Sequence, residues 1–413
     1  MSPLWQVLLA LLLITTTEGG VNTIYPPFLQ NARYSVEQIG LFVALFGVLQ
    51  LASRLPAGAL YAAGRARPLF VGFVFLFILS TVGLAYSDGA AYVMLMTMLH
   101  GFAFGGIGTV MLAWVIELKP ANSSHGATMG WYTAALSAGY SLGNISGGYL
   151  ADHWGYAVSF LLLGLVPGLS VILGLTLPLT SRANPPAEAV RAVTGMTWRA
   201  RLAGLRNVVT PNLALATLIA FYLNFLDDGF ATFFPLLGLG IGLSLTLIGV
   251  LKSAKSLTAT ILRPLAGLIF RYVQYKTLNN VLLIIWAAAV FLVPSLREPW
   301  MFVVLFVTIG VCRALTRVTS ATMLAEEKAN DRAGIGLASG LYNAGLDVGS
   351  FVGPLASGLI ASATDIPTMF RITPLALLAV YFMAVLWVTR SSGHLRPAPA
   401  ESEAGVQRET RGR

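Results

Sequence analysis

Long apolar runs separated by short polar gaps make up most of the chain. A helix that crosses a bilayer needs about 20 consecutive, mostly apolar residues. By that measure twelve crossings are predicted, over residues 4–29, 36–60, 68–86, 91–116, 126–151, 157–179, 211–237, 244–270, 277–296, 300–325, 333–361 and 370–389. The one long polar interval lies between the sixth and seventh. It runs from Thr180 to Arg206 and holds Asn184-Pro185-Pro186 and five arginines. The chain is therefore expected to divide into residues 1–179, a linker at 180–210, and residues 211–390. Residues 391–413, rich in Pro, Glu and Arg, read as a disordered tail. The pattern predicts an all-α membrane protein, with twelve transmembrane helices in two pseudo-symmetric six-helix bundles.

One stretch supports the division. Gly139, Gly143 and Gly147 recur every fourth residue, with Gly148 adjoining. On a helix they share a face without side chains, against which another helix can pack closely. Shifted by 210 residues, Gly126, Gly130, Tyr132, Gly139, Gly143 and Gly148 fall on Gly336, Gly340, Tyr342, Gly349, Gly353 and Gly358. At an offset of 209, Glu18, Gly20, Thr23 and Pro26 fall on Asp227, Gly229, Thr232 and Pro235. Arg54-Leu-Pro-Ala-Gly58 likewise meets Arg263-Pro-Leu-Ala-Gly267. These echoes indicate an internal duplication. A duplicated six-span unit is the layout of carriers whose two halves rock around a central site.

Composition agrees: 56% of the residues are hydrophobic and 10% are charged, against about 25% charged in soluble domains. The single cysteine, Cys312, excludes a disulfide framework or a multi-cysteine metal site. The four histidines, at 100, 125, 153 and 394, lack metal-ligand spacing. No cofactor is expected. Gly101 to Gly108 is glycine-rich but carries no Lys-Ser/Thr, so it is no phosphate loop. No catalytic arrangement can be drawn, and the chain is not expected to be an enzyme.

The net charge of +9 needs no nucleic-acid partner once the basic residues are placed. With the N-terminus cytoplasmic, 19 of the 26 Lys and Arg lie at cytoplasmic loops, span ends and tail, and three (Arg33, Arg297, Arg371) on the other side. That asymmetry predicts a multi-pass protein of the cytoplasmic membrane with both termini inside. The first apolar run lacks a basic n-region and reads as a retained span rather than a signal peptide.

The remaining basic residues fall inside spans, where a charge is costly and marks function by default. Lys252, Lys255, Arg313 and Arg317 stand against Glu18, Asp227, Asp228 and Asp347. Glu18, Asp227 and Asp228 are the candidates for proton coupling, while Asp227, Asp228 and Asp347 are those that could instead neutralise the cations. Glu18 has no charged partner in its own half of the sequence, so it is the first candidate for a group that binds and releases a proton as its exposure alternates. Asp227 and Asp228 are the others, one of them expected to pair with Lys252 or Lys255. Candidate substrate contacts are Asn22, Tyr25, Tyr132, Asn224, Lys252, Lys255, Arg313, Tyr342, Asn343 and Asp347. Arg317 and Arg54 read as gate residues. His100 reads as a packed residue or a proton relay.

Three motifs carry a resemblance. Gly139-Tyr-Ser-Leu-Gly143-Asn144-Ile-Ser-Gly147-Gly148 is similar to the fifth-span antiporter motif G-x-x-x-G-P-x-x-G-G, with Asn144 in place of proline. The second copy, containing Gly353, keeps Pro354 there. Gly58-Ala-Leu-Tyr-Ala-Ala-Gly64-Arg65-Ala-Arg67 is similar to the loop motif G-x-L-x-D-R-x-G-R-R, one residue short and with alanine where the Asp belongs. In the second copy Arg271 stands at the Asp position, after Gly267. Over residues 4–390 the chain thus resembles the major facilitator superfamily, and within it the drug/proton antiporters. The resemblance implies a proton-coupled secondary carrier, acting as a monomer, that exports a small amphipathic molecule. It also implies that the missing Asp leaves the family's cytoplasmic latch without its carboxylate. Two alternatives stand beside this reading. One is an anion carrier using the buried Lys and Arg. The other is a transporter-like sensor or scaffold.

Overall fold

The computed structural model describes residues 2–61, 66–86, 89–118, 125–177, 210–269, 275–327 and 332–392. Arg65 and all but the edges of the linker 180–210 and of the tail 391–413 lie outside the described residues. So do the side chains of residues 263–269, a stretch that includes Arg263 and Gly267. The described residues are almost wholly helical and contain no strand.

In chain order the helices are α1 Pro3–Asn31, α2 Val36–Leu60, α3 Ala66–Gly83, α4 Gly89–Glu117, α5 His125–Thr176, α6 Pro211–Gly240, α7 Leu245–Ile269, α8 Tyr275–Leu292, α9 Pro299–Glu327, α10 Arg332–Ala363 and α11 Ile366–Ser392. Local chemistry sets several ends. Ser35 and Gln38 form a reciprocal capping box at the start of α2. Thr210 accepts from the Leu213 amide at the start of α6, and Pro211 takes the first helical position, where its missing N–H costs nothing.

Among the described residues, eleven helices are long and apolar enough to cross a membrane. The predicted crossings 126–151 and 157–179 run on as the single element α5. Gly155 interrupts it with φ 76° and ψ 171°, a backbone conformation only glycine adopts cheaply. Phe75, Leu165 and Ile172 are among many large apolar side chains left exposed. In water they would form an unusually extensive apolar surface.

The glycine echo has a structural counterpart. The Gly139–Gly147 face of α5 packs on α1, where a Cβ added at Gly147 would lie 2.6 Å from Gly20 Cα. In the second half of the chain Gly353 packs on α6, where a Cβ would lie 2.9 Å from Phe225 Cα. The same face therefore meets the first helix of its own repeat in both copies. Contacts between the sequence halves follow the repeat as well: α5 packs on α7, and α2 on α10. Gly148 meets the Leu245 backbone at 2.8 Å from an added Cβ, and Gly40 meets Pro354 O at 2.6 Å. Both cross-contacts lie toward the end of the fold away from the chain termini.

Candidate functional site

Polar residues gather midway along the helices in two clusters. The first is built on α1. Thr15 and Thr16 return their hydroxyls to backbone carbonyls one turn earlier, at 2.8 Å each. Thr17 instead donates to Leu163 O at 2.7 Å. These bonds satisfy the hydroxyls and leave Glu18 facing α4. There the Glu18 carboxylate lies 3.0 Å from His100 Nε2, both side chains being buried.

The expectation that Glu18 stands alone is thus corrected. Its partner comes from a helix distant in sequence and is a residue that carries charge only when protonated. His100 is held on its other side by Ser80 and Thr81, whose hydroxyls lie 3.3 and 3.2 Å from Nδ1. Its ring stacks on Phe77 at 4.4 Å. Beside the pair is a small cavity. Glu18, Asn22, Tyr25, Phe46, His100 and, from α6, Thr232 line it. Tyr25 is hydrogen-bonded to Thr97 in the same wall.

The second cluster belongs to α6, α7 and α9. Asp227 receives Lys255 Nζ at 2.7 Å and Arg313 at 3.2 Å. Lys255 and Asp227 are buried, whereas the Arg313 side chain is 26% exposed. Lys252 takes a different partner. Its ammonium donates to Asn22 O at 3.0 Å and Asn22 Oδ1 at 3.2 Å, across the sequence halves. Asn224 donates to Leu346 O and Ser350 Oγ, and Asp228 lies beside Ser350.

Asp347 is held by Arg54 of α2 at 2.7 Å, not by Lys252 or Lys255. The long Arg54 side chain reaches inward from near its helix end to do this. Tyr342 is buried and hydrogen-bonded to Ser320 at 2.8 Å, so it ties α10 to α9. Tyr132 is half-buried against the α1–α4 core. Asn343 is exposed and Arg317 half-buried. Asn144, standing where the motif has proline, accepts from Thr23 at 2.9 Å. The amide thus joins α5 to α1, where a proline would have offered no such acceptor. Gly58 is exposed near the end of α2.

Two residues had no partner legible in the sequence. His100 could be seen as ionisable, but nothing in the sequence points it at Glu18. Asp152 carried no signal, yet it receives Leu245 N, Thr246 N and Thr246 Oγ1. Among the described residues no cluster of three or more His, Cys, Asp or Glu could hold a metal.

Comparison with known proteins places the chain in a family. A family model described as Major Facilitator Superfamily matches residues 7–338 and 283–411. The MFS-type transporter SLC18B1 of Mus musculus is 25% identical, over 93% of this chain and 86% of that protein. Multidrug resistance protein 1 of Bacillus subtilis is 23% identical, over 92% and 94%. A bacterial homolog of the human lysosomal transporter Spinster, solved inward-facing and occupied, superposes with a TM-score of 0.73 at 15% identity, covering 96% of this chain and 98% of that one. The nucleoside transporter NupG gives a TM-score of 0.71 at 14% identity, over 93% and 99%.

Proposed function

The chain belongs to the major facilitator superfamily, a family of membrane transport proteins rather than enzymes, and we propose that it is a proton-coupled secondary carrier exporting a small amphipathic molecule by alternating access. In this reading α5 crosses twice, giving twelve crossings in two six-helix units joined by the linker 180–210. Both termini lie on the cytoplasmic side of the plasma membrane, and the carrier works as a monomer. The cross-contacts of α5 with α7 and of α2 with α10 then close the outer side, and the central site opens to the cytoplasm.

The observation that carries the reading is the buried Glu18–His100 pair on the wall of a cavity that Thr232 of the other half completes. A carboxylate and an imidazole in contact can exchange a proton with whichever side the cavity faces. Protonating Glu18 removes the charge that draws it to His100, and releasing the proton restores it. Coupling follows if the substrate and the proton compete for this wall. Asp228, which lies next to Asp227 but beside Ser350, is a second candidate titrating group. The sequence likeness to Multidrug resistance protein 1 favours a drug-like cargo.

The test is transport in proteoliposomes with a panel of amphipathic dyes of either charge. An imposed pH gradient should drive dye movement, and Glu18→Gln should abolish the gradient dependence. Movement that ignores the gradient, or that Glu18→Gln leaves gradient-driven, would refute the coupling.

A further inference from the structure

Cations outnumber the free carboxylates in the second cluster. Lys252, Lys255, Arg313 and Arg317 are set against Asp227 and Asp228, because Asp347 is taken by Arg54. Three of the four cations have partners. Lys255 and Arg313 share Asp227, and Lys252 is held by two oxygens of Asn22.

Arg317 differs. It lies one turn beyond Arg313 on the same face of α9, within the apolar span Pro299–Ala321. Asp227, Asp228, Asp347 and Tyr342 are within electrostatic reach. Yet among the described residues no carboxylate comes within salt-bridge distance of its guanidinium and no acceptor takes its protons. The Tyr342 hydroxyl is already engaged with Ser320. A guanidinium held within a membrane span without a counter-ion is costly. An arginine there for packing alone would be expected to have an acceptor, as Arg54 and Arg313 do.

We infer that Arg317, with Arg313 beside it, forms a binding site for the anionic group of an amphipathic substrate, a carboxylate or sulfonate. The guanidinium offers a planar fork of donors that a carboxylate can satisfy bidentately, and a bound anion offsets the local excess of positive charge. Arg313 is partly exposed at mid-span, so its guanidinium has donors left over beyond the contact with Asp227. Tyr140 of α5 is within electrostatic reach of Arg313, Asp228 and Glu18. Tyr140 thus has the Arg313 end of the second cluster and the Glu18 end of the first both within reach. The inference deepens the carrier reading and rests on it.

The experiment measures binding to the purified full-length protein, without a gradient, by thermal unfolding and tryptophan fluorescence titration. The probes are salicylate against salicylamide and decanoate against decanol, matched pairs that differ in charge. An anion should bind at least about tenfold more tightly than its neutral counterpart, equivalent to about 1.4 kcal/mol. Arg317→Gln should erase that preference, and Arg317→Lys, which keeps the charge but not the fork, should weaken it several-fold. Arg33→Gln, in an exposed turn, should leave it unchanged. Equal binding of anion and neutral counterpart in both pairs overturns the inference. So does an undiminished preference in Arg317→Gln or, should that variant not fold, in Arg317→Lys. Because no proton gradient is used, anion binding retained in Glu18→Gln separates this inference from the coupling proposal.

Discussion

Asp152, near the end of the first limb of α5, caps α7 through Thr246. Its carboxylate takes the Thr246 amide at 2.7 Å, the Thr246 hydroxyl at 2.6 Å and the Leu245 amide at 3.1 Å. A helix N-terminus presents unpaired N–H groups and partial positive charge, which a carboxylate satisfies. Here the cap comes from the other half of the sequence, so it ties the halves together at the end away from the termini. The loop motif lacks its family carboxylate at the opposite end. Removing Asp152 should therefore loosen the closed end: Asp152→Ala costs about 1 kcal/mol as a lost cap. In a Cys312→Ser background, a cysteine placed at the buried Ser141 should then react faster with a membrane-impermeant thiol reagent. Unchanged labelling would show that the cap does not hold the interface.

The Arg54–Asp347 pair joins α2 to α10 and is partly exposed on both sides. Its coupling energy should be modest, roughly 1 kcal/mol or less. Arg54→Asp and Asp347→Arg should each impair stability and transport, and the combined reversal should recover both. A double-mutant cycle in thermal unfolding reads the coupling.

Asp227 compensates two cations, so it is the costlier loss. Asp227→Asn leaves Lys255 buried without a counter-ion and should destabilise by about 3–5 kcal/mol. Adding Lys255→Met should restore most of the folded yield, because removing the pair together is far cheaper than removing one member. Yield of monodisperse protein after detergent extraction checks this; no recovery in the double variant would mean that Asp227 serves mainly Arg313.

The glycine face makes a graded prediction. A methyl at Gly143 would run into Thr16 O and lie 2.8 Å from Gly20 N, whereas one at Gly130 has nothing within 4 Å. Gly143→Ala should therefore destabilise by about 1–3 kcal/mol through overpacking. Gly130→Ala should be neutral, or stabilising by up to about 1 kcal/mol through helix propensity. Melting temperatures of the two variants should move apart accordingly.

The glycine run was legible as a close-packing surface because its spacing is local, and its echo located the repeat. The structure assigns the glycines of that surface mostly to packing within a repeat, α5 on α1 and α10 on α6, whereas Gly148, Asn144, Ile145 and Ser141 meet α7. The Asp227–Lys255 contact was among the pairings expected, since opposite charges in hydrocarbon have few places to go. The pairing of Glu18 with His100 was not, because the two are 82 residues apart and share no motif. Nor was the choice of Arg54 for Asp347, which depends on how far a long side chain extends inward.

The sequence by itself determined the apolar helices, their repeat and the set of charges placed among them, because hydrophobic periodicity and glycine spacing are written residue by residue. Only the tertiary structure decided who pairs with whom: Glu18 with His100, Lys252 with Asn22, Asp152 with the start of α7, and Arg317 with no acceptor among the described residues. The reason is physical. Hydrophobic burial is non-directional and reads out locally, whereas ion pairs and caps act over about 3 Å, a range set by how distant helices dock.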